Sequence, residues 1–330
     1  ATNGDIGLSS AANLDVQGVQ ATGNIVIAAG GSATISDIFN VGASAPIGFN
    51  SPQNANVTGG AITISAVDDI VINSLVNATD ALQITAGGLL SIQADVVGST
   101  IRAVSSDMNI GSTGSIGQTD LTSDIQIFAD GTTQIVIGGA NDASGAFSLN
   151  NDEFSRIHSG GDLTLTAQST GLGGFDMVVQ DLSVLVAESV SGPQSANIGL
   201  GGALNFVSGQ SIAVTGLVDF GNANTSSGLS FTAGQDLFID AASGIIQMTN
   251  ANGSFSGSGS LSIDAASVFA MTSQALADVA GLSTADIDIR LASNDGIDLP
   301  DGLIRADNVR IAVTDNLLIQ NTANATGLPD

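Results

Sequence analysis

TGGAITISAVDDIVINSLVNATDALQITAGGLLSI, residues 58–92, contains four short alternations of apolar and polar residues: Ile62/Ile64, Ile70/Ile72, Leu82/Ile84 and Leu90/Ile92. The two members of each pair start about eight residues apart, and the second pair repeats the first about twenty residues on. Such period-two alternation, bounded by Gly, Asn, Asp and Ser, is the pattern of a half-buried strand. Strands this short cannot bury an apolar side alone. Stacked at the inter-strand spacing of about 4.8 Å, each hydrogen-bonds to its counterpart in the next repeat, and the inward Ile, Leu and Val rows merge into one interior.

The same unit runs along the whole chain. Ile6/Leu8 pairs with Leu14/Val16, Ile125/Ile127 with Ile135/Ile137, Leu204/Phe206 with Ile212/Val214, Leu229/Phe231 with Leu237/Ile239, and Val309/Ile311 with Leu317/Ile319. An antiparallel sandwich also has short strands at regular spacing. One recurring phrase favours stacked repeats over it: TGGAITISA at 58–66, SGGDLTLTA at 159–167, LGGALNFVSG at 200–209, TAGQDLFIDA at 232–241 and SGSLSIDAA at 258–266. The expectation is an all-β chain, a parallel β-solenoid with coils of about 20 residues forming one shaft over residues 1–330. Two stretches break the rhythm, 38–60 and 138–160, and insertions in such arrays map to surface loops.

Composition narrows the function classes. The formal net charge is −26, and all five cations are Arg, so the clustered Lys and Arg that phosphate backbones require are missing. Nucleic acid and anionic membrane surfaces are therefore not expected partners. No apolar run reaches the roughly 18 residues that span a bilayer, and the start, ATNGDIGLSS, lacks a basic n-region, as expected of a mature or excised chain. Zero Cys leaves no disulfide or thiolate chemistry. A surface this acidic stays soluble and gathers cations, which suits an extracellular setting.

Catalytic constellations are sparse. Without Lys there is no phosphate-loop lysine and no Schiff base, and the single His158 rules out His-rich metal centres. The 138–160 stretch groups Asp152, Glu153, Arg156 and His158, read as a surface loop packing its Phe residues onto the shaft. Carboxylates concentrate again at 285–307, where Asp286, Asp288, Asp295, Asp298 and Asp301 are candidate calcium ligands, because hard cations take six to eight oxygens. The alternative use of Asp at such positions is turn chemistry. Thr63, Thr85, Thr164 and Thr166 do not build a regular Thr face, because Ser, Gln, Asn and Asp fill the matching slots elsewhere.

At SGGDLTLTAQ and TAGQDLFIDA the chain resembles the filamentous haemagglutinin-like exoproteins, large bacterial adhesins exported by two-partner secretion. The resemblance implies a right-handed β-helix, secretion, and a role in adhesion or in a biofilm matrix. It makes a non-catalytic structural or adhesive shaft on a cell-surface filament the expected function. The partners to expect are further copies of the chain, stacked end to end or laterally, and a cell-surface glycan or receptor. The competing reading is a β-helical polysaccharide-degrading enzyme or a tailspike-like glycan-binding module, which would use paired carboxylates along a groove. With 29 Asp and 2 Glu, paired carboxylates alone do not discriminate; the absence of Trp and Tyr platforms speaks against it.

Overall fold

The computed structural model describes residues 4–36, 55–118, 122–130, 134–140, 146–167, 176–186, 197–222, 228–234, 237–239, 245–249, 252–257, 261–263, 268–271, 286–291, 297–299, 303–304, 308–313 and 317–319. Beyond residue 234 it is the backbone of the strands that is described. Among the described residues the chain is all-β apart from one short helix, Asn151–Phe154, and its strands pair in parallel. No described helix is long and apolar enough to cross a membrane.

One twelve-stranded sheet, the long sheet, runs from Ile6–Ser10 to Asn308–Val313. Between neighbouring strands of this sheet the chain visits two others. Ile62–Ala66 in the long sheet is followed by Ile70–Ile72 and Leu75–Ala78, each in its own sheet, before Ala81–Ala86 returns beside Ile62–Ala66. The apolar triplets read from the sequence are these strands. Their order is compatible with a stack of coils.

Register explains why the triplets recur. Ile62, Leu82, Ile101, Ile125, Leu163 and Leu204 stand opposite one another in successive strands, all buried, and Ile64, Ile84, Ala103, Ile127, Leu165 and Phe206 form the next inward row. A third inward row holds small residues at the strand ends, Ala66, Ala86, Ser105, Ala129, Ala167 and Ser208. Since side chains alternate across a strand, Thr63, Gln83, Arg102, Gln126, Thr164 and Asn205 point outward between the first two rows. The Gly-Gly of the recurring phrase has a steric cause: a Cβ on Gly161 would land on the Ser123 carbonyl oxygen of the neighbouring repeat.

The other two sheets are each divided. The second is a five-stranded sheet ending at Asp107–Ile110, then an eight-stranded one beginning at Phe147–Leu149; the third is a four-stranded sheet ending at Val96–Val97, then a seven-stranded one beginning at His158–Ser159. Only the long sheet passes the divide unbroken. Here the stretch 138–160 departs from the surface loop expected of it. Phe147–Leu149 follows Ile135–Ile137 in sequence but lies before it in the stack, paired with it in parallel and tied to the strand behind through Ser148 N–H and the Asp107 carboxylate, 3.1 Å. Phe147 and Phe154 both join the buried core. Gly138 begins the reversal with φ +93°, and a Cβ there would press on the Gln180 carbonyl. The third sheet shows the same device, since Asn197–Leu200 lies between His158–Ser159 and the earlier Leu182–Val186. Of the stretch 38–60, residues 55–59 form a strand of the third sheet and residues 38–54 lie outside the described residues.

Candidate functional site

The polar group at 152–158 sits where the second and third sheets divide. Asn150 caps the helix Asn151–Phe154: its Oδ1 accepts from Glu153 N–H at 3.0 Å, and Glu153 returns Oε2 to Asn150 N–H at 3.1 Å. Glu153 is buried, and its other oxygen accepts the N–H of Ile110, 3.0 Å away on the strand behind. Arg156 donates from Nη1 to the Ile110 carbonyl at 2.7 Å. One residue thus has both its N–H and its C=O answered by side chains of the inserted segment. Asp152 is exposed.

His158 is buried beside this clamp. Its backbone N–H donates to the Ile116 carbonyl, and Ile116 N–H donates to the Arg156 backbone carbonyl, so among the described residues the third sheet crosses the divide through the bridges of Ile116. Burial pushes the imidazole below its ordinary value of 6.5, and the negative charge of Asp95 acts in the opposite direction without cancelling the shift. Asp95 itself accepts the Ser115 hydroxyl at 2.8 Å. A lowered folded value means the unfolded chain binds the proton more readily, so stability falls as pH drops through the ordinary imidazole range. The expected result is that wild-type protein loses more stability between neutral and mildly acidic pH than His158→Gln does. Urea midpoints across pH check it; parallel profiles would refute it.

Other carboxylates bind backbone. At four long-sheet strands the side chain at or just before the strand's start reaches the next repeat: Asp5 accepts Asn24 N–H (2.8 Å), Asn24 accepts Ala61 N–H (3.1 Å), Asp124 accepts Asp162 N–H (3.0 Å), and Asp162 accepts Ala203 N–H (2.7 Å). At the next corner Asn13 accepts Ser32 N–H (3.0 Å) and Asp69 accepts Leu89 N–H (2.8 Å). These N–H groups stand at corners, where the ladder does not answer them, so a carboxylate or amide one repeat away takes that role.

Of the calcium candidates, Asp286 and Asp288 lie in the strand Asp286–Leu291 of the long sheet, and Asp298 in the strand Ile297–Leu299 of the eight-stranded sheet. Asp288 occupies the register position between Ser254 and Arg310, and Asp298 that between Ser262 and Leu318. Asp295 and Asp301 lie outside the described residues. Among the described residues no three His, Asp or Glu side chains gather as a metal site would require.

Sequence reasoning passed over one feature of the long sheet's outer face. Arg102 lies over the ring of Phe128, 4.4 Å from its centroid. Phe128 occupies an outward position in its strand, opposite Val104 and Thr166 of the neighbouring strands. The signal was available in DIQIFA at 124–129, where a Phe falls on the polar phase of the alternation.

Together these observations define an all-β protein of long parallel sheets whose described corner carboxylates serve the backbone. No protein-family model, no curated protein and no solved structure matches the chain.

Proposed function

We propose that the chain is a parallel β-solenoid serving as a secreted, non-catalytic shaft, structural or adhesive, in a bacterial cell-surface or matrix filament. The observation that carries this reading is the unbroken long sheet: twelve strands in register, spanning roughly 50 Å at the usual strand spacing. Its rows repeat hydrophobic and corner chemistry and vary mainly in the outward side chains, as a spacer or display element needs. The resemblance of SGGDLTLTAQ and TAGQDLFIDA to adhesin repeats supports the extracellular assignment. Filament growth proceeds by association of further copies, and display serves a glycan or receptor. Calcium enters through the carboxylates of 286–301, a stretch whose sequence offers oxygen ligands.

The test is negative-stain imaging of the purified chain, with calcium and with a chelator. Rods or fibres of uniform width are expected, and fibres lost on chelation would place ions in the assembly. Globular particles would overturn the shaft. Release of new reducing ends or unsaturated uronates from acidic polysaccharides would overturn the non-catalytic assignment.

A further inference from the structure

The long sheet's outer face differs in charge from the rest of the molecule. Over the nine strands from Ile6–Ser10 to Gly228–Ala233, the outward positions that lie between the inward rows carry no Asp or Glu, although the chain has 31 acidic residues. Carboxylates such as Asp5, Asp69 and Asp162 stand at the corners instead, and Asp124, the first residue of its strand, at the rim. The face is open: Gln83, Gln126 and Thr232 are exposed, and so is Val26 at 46 %. At its middle lie Phe128 and Arg102 beside the buried Val104, with Val207 two strands beyond Phe128.

We propose that this face is a self-association surface on which a second copy of the chain packs face to face. The inference rests on the shaft reading and names the surface by which shafts associate. Two arguments select a second copy. Asp, Glu and Lys are depleted where proteins meet proteins, as they are between the inward rows of this face, and Phe128 with Arg102, residue types enriched at such contacts, stands at its middle. A chain of net charge −26 repels its own copies least where the facing surfaces lack carboxylates. The dimensions also fit: these nine strands by five residues cover roughly 650 Å² per copy from the strand spacing and rise, at the low end of what one side of a stable interface buries. Closure is two-fold, the same patch meeting itself.

Sedimentation equilibrium of the full chain at low and high salt tests the proposal, with imaging to measure rod width. Wild type is expected to double its mass with concentration, more readily at high salt because screening relieves the repulsion, and the paired rods are expected to be thicker without being longer. Phe128→Thr installs the residue that the neighbouring strand carries at that register position, and the pair Gln83→Glu with Gln126→Glu adds charge without changing shape. Each should weaken association by roughly tenfold or more while leaving the unfolding midpoint in place. Asn109→Asp, on the second sheet, should leave it unchanged. A single-chain mass under all conditions overturns the proposal, as does a doubled mass that the face variants do not alter. A single chain that binds a neutral linear polysaccharide, and loses it with Phe128→Thr, would reassign the face to a glycan. Rods seen in any of these cases leave the shaft reading standing; globular particles end that reading first.

Discussion

Replacing Glu153 with alanine lowers the unfolding free energy by about 3 kcal/mol, because a buried and a half-buried backbone donor lose their acceptor together. Those donors are the N–H groups of Ile110 and Asn150, and Glu153 is the one side chain that answers both. Half of the loss falls within the capping box, the other half on the tie between Asp107–Ile110 and the inserted segment. That second half sits at the divide, where the second and third sheets break and the long sheet alone continues in full ladder. In stacked repeats, cooperativity passes through nearest-neighbour interfaces. Weakening this interface should therefore broaden the urea transition or split it in two, beyond shifting its midpoint. Glu153→Gln keeps one acceptor and turns an NH2 toward the other donor, so it should cost about half as much. Asp152→Ala, on the exposed side of the same helix, should stay within roughly 0.5 kcal/mol. Urea unfolding followed by circular dichroism checks all three. A Glu153→Ala transition as steep as wild type, at an unshifted midpoint, would show that the clamp carries neither stability nor coupling.

The long and second sheets were legible in the sequence because their strands, three to six residues long, alternate with Ile, Leu and Val inward at a repeated spacing. Ile62/Ile64 and Ile70/Ile72 became strands in those two sheets, and Leu204/Phe206 and Ile212/Val214 did so again. The third sheet was not legible. Its strands Val19–Gln20 and Val96–Val97 are two residues long, too short to carry a period, and at the divide it is reduced to the single bridges of Ile116. The reversal at 138–160 was hidden for another reason: Phe147–Leu149 reads like any apolar triplet, and nothing local to FSL states that it pairs with an earlier or a later neighbour. Gly138 and Gly139, both with positive φ, mark the place only once the backbone is known. The Asp152, Glu153, Arg156 and His158 group was visible as polar chemistry, but its use was not. The partner of Glu153 is a backbone N–H 43 residues away, and backbone donors leave no mark in sequence.

Phe231→Ala should cost about 4 kcal/mol, near the middle of the range for removing a buried phenyl ring. Phe231 is fully buried and stacks on Phe206 of the neighbouring strand, with ring centroids 5.0 Å apart and planes 19° from parallel. The two occupy one inward row that holds Ile127 and Leu165 on the preceding strands, so aromatic rings replace aliphatic side chains there. In-register backbones fix the separation of the row positions, so the neighbouring repeats cannot close over the hole. Phe231→Leu supplies the side chain that Leu165 already places in the row, and should cost about 1.5 kcal/mol or less, as shape changes within a core do. A double-mutant cycle with Phe206→Ala should return a coupling of about 1 kcal/mol, the share due to ring contact beyond burial. Equal losses for Phe231→Leu and Phe231→Ala would mean that ring geometry, and not volume, holds this part of the stack together. A loss under about 1 kcal/mol for the alanine variant would mean that the repeats relax around the hole, and the rigid in-register row would have to be abandoned.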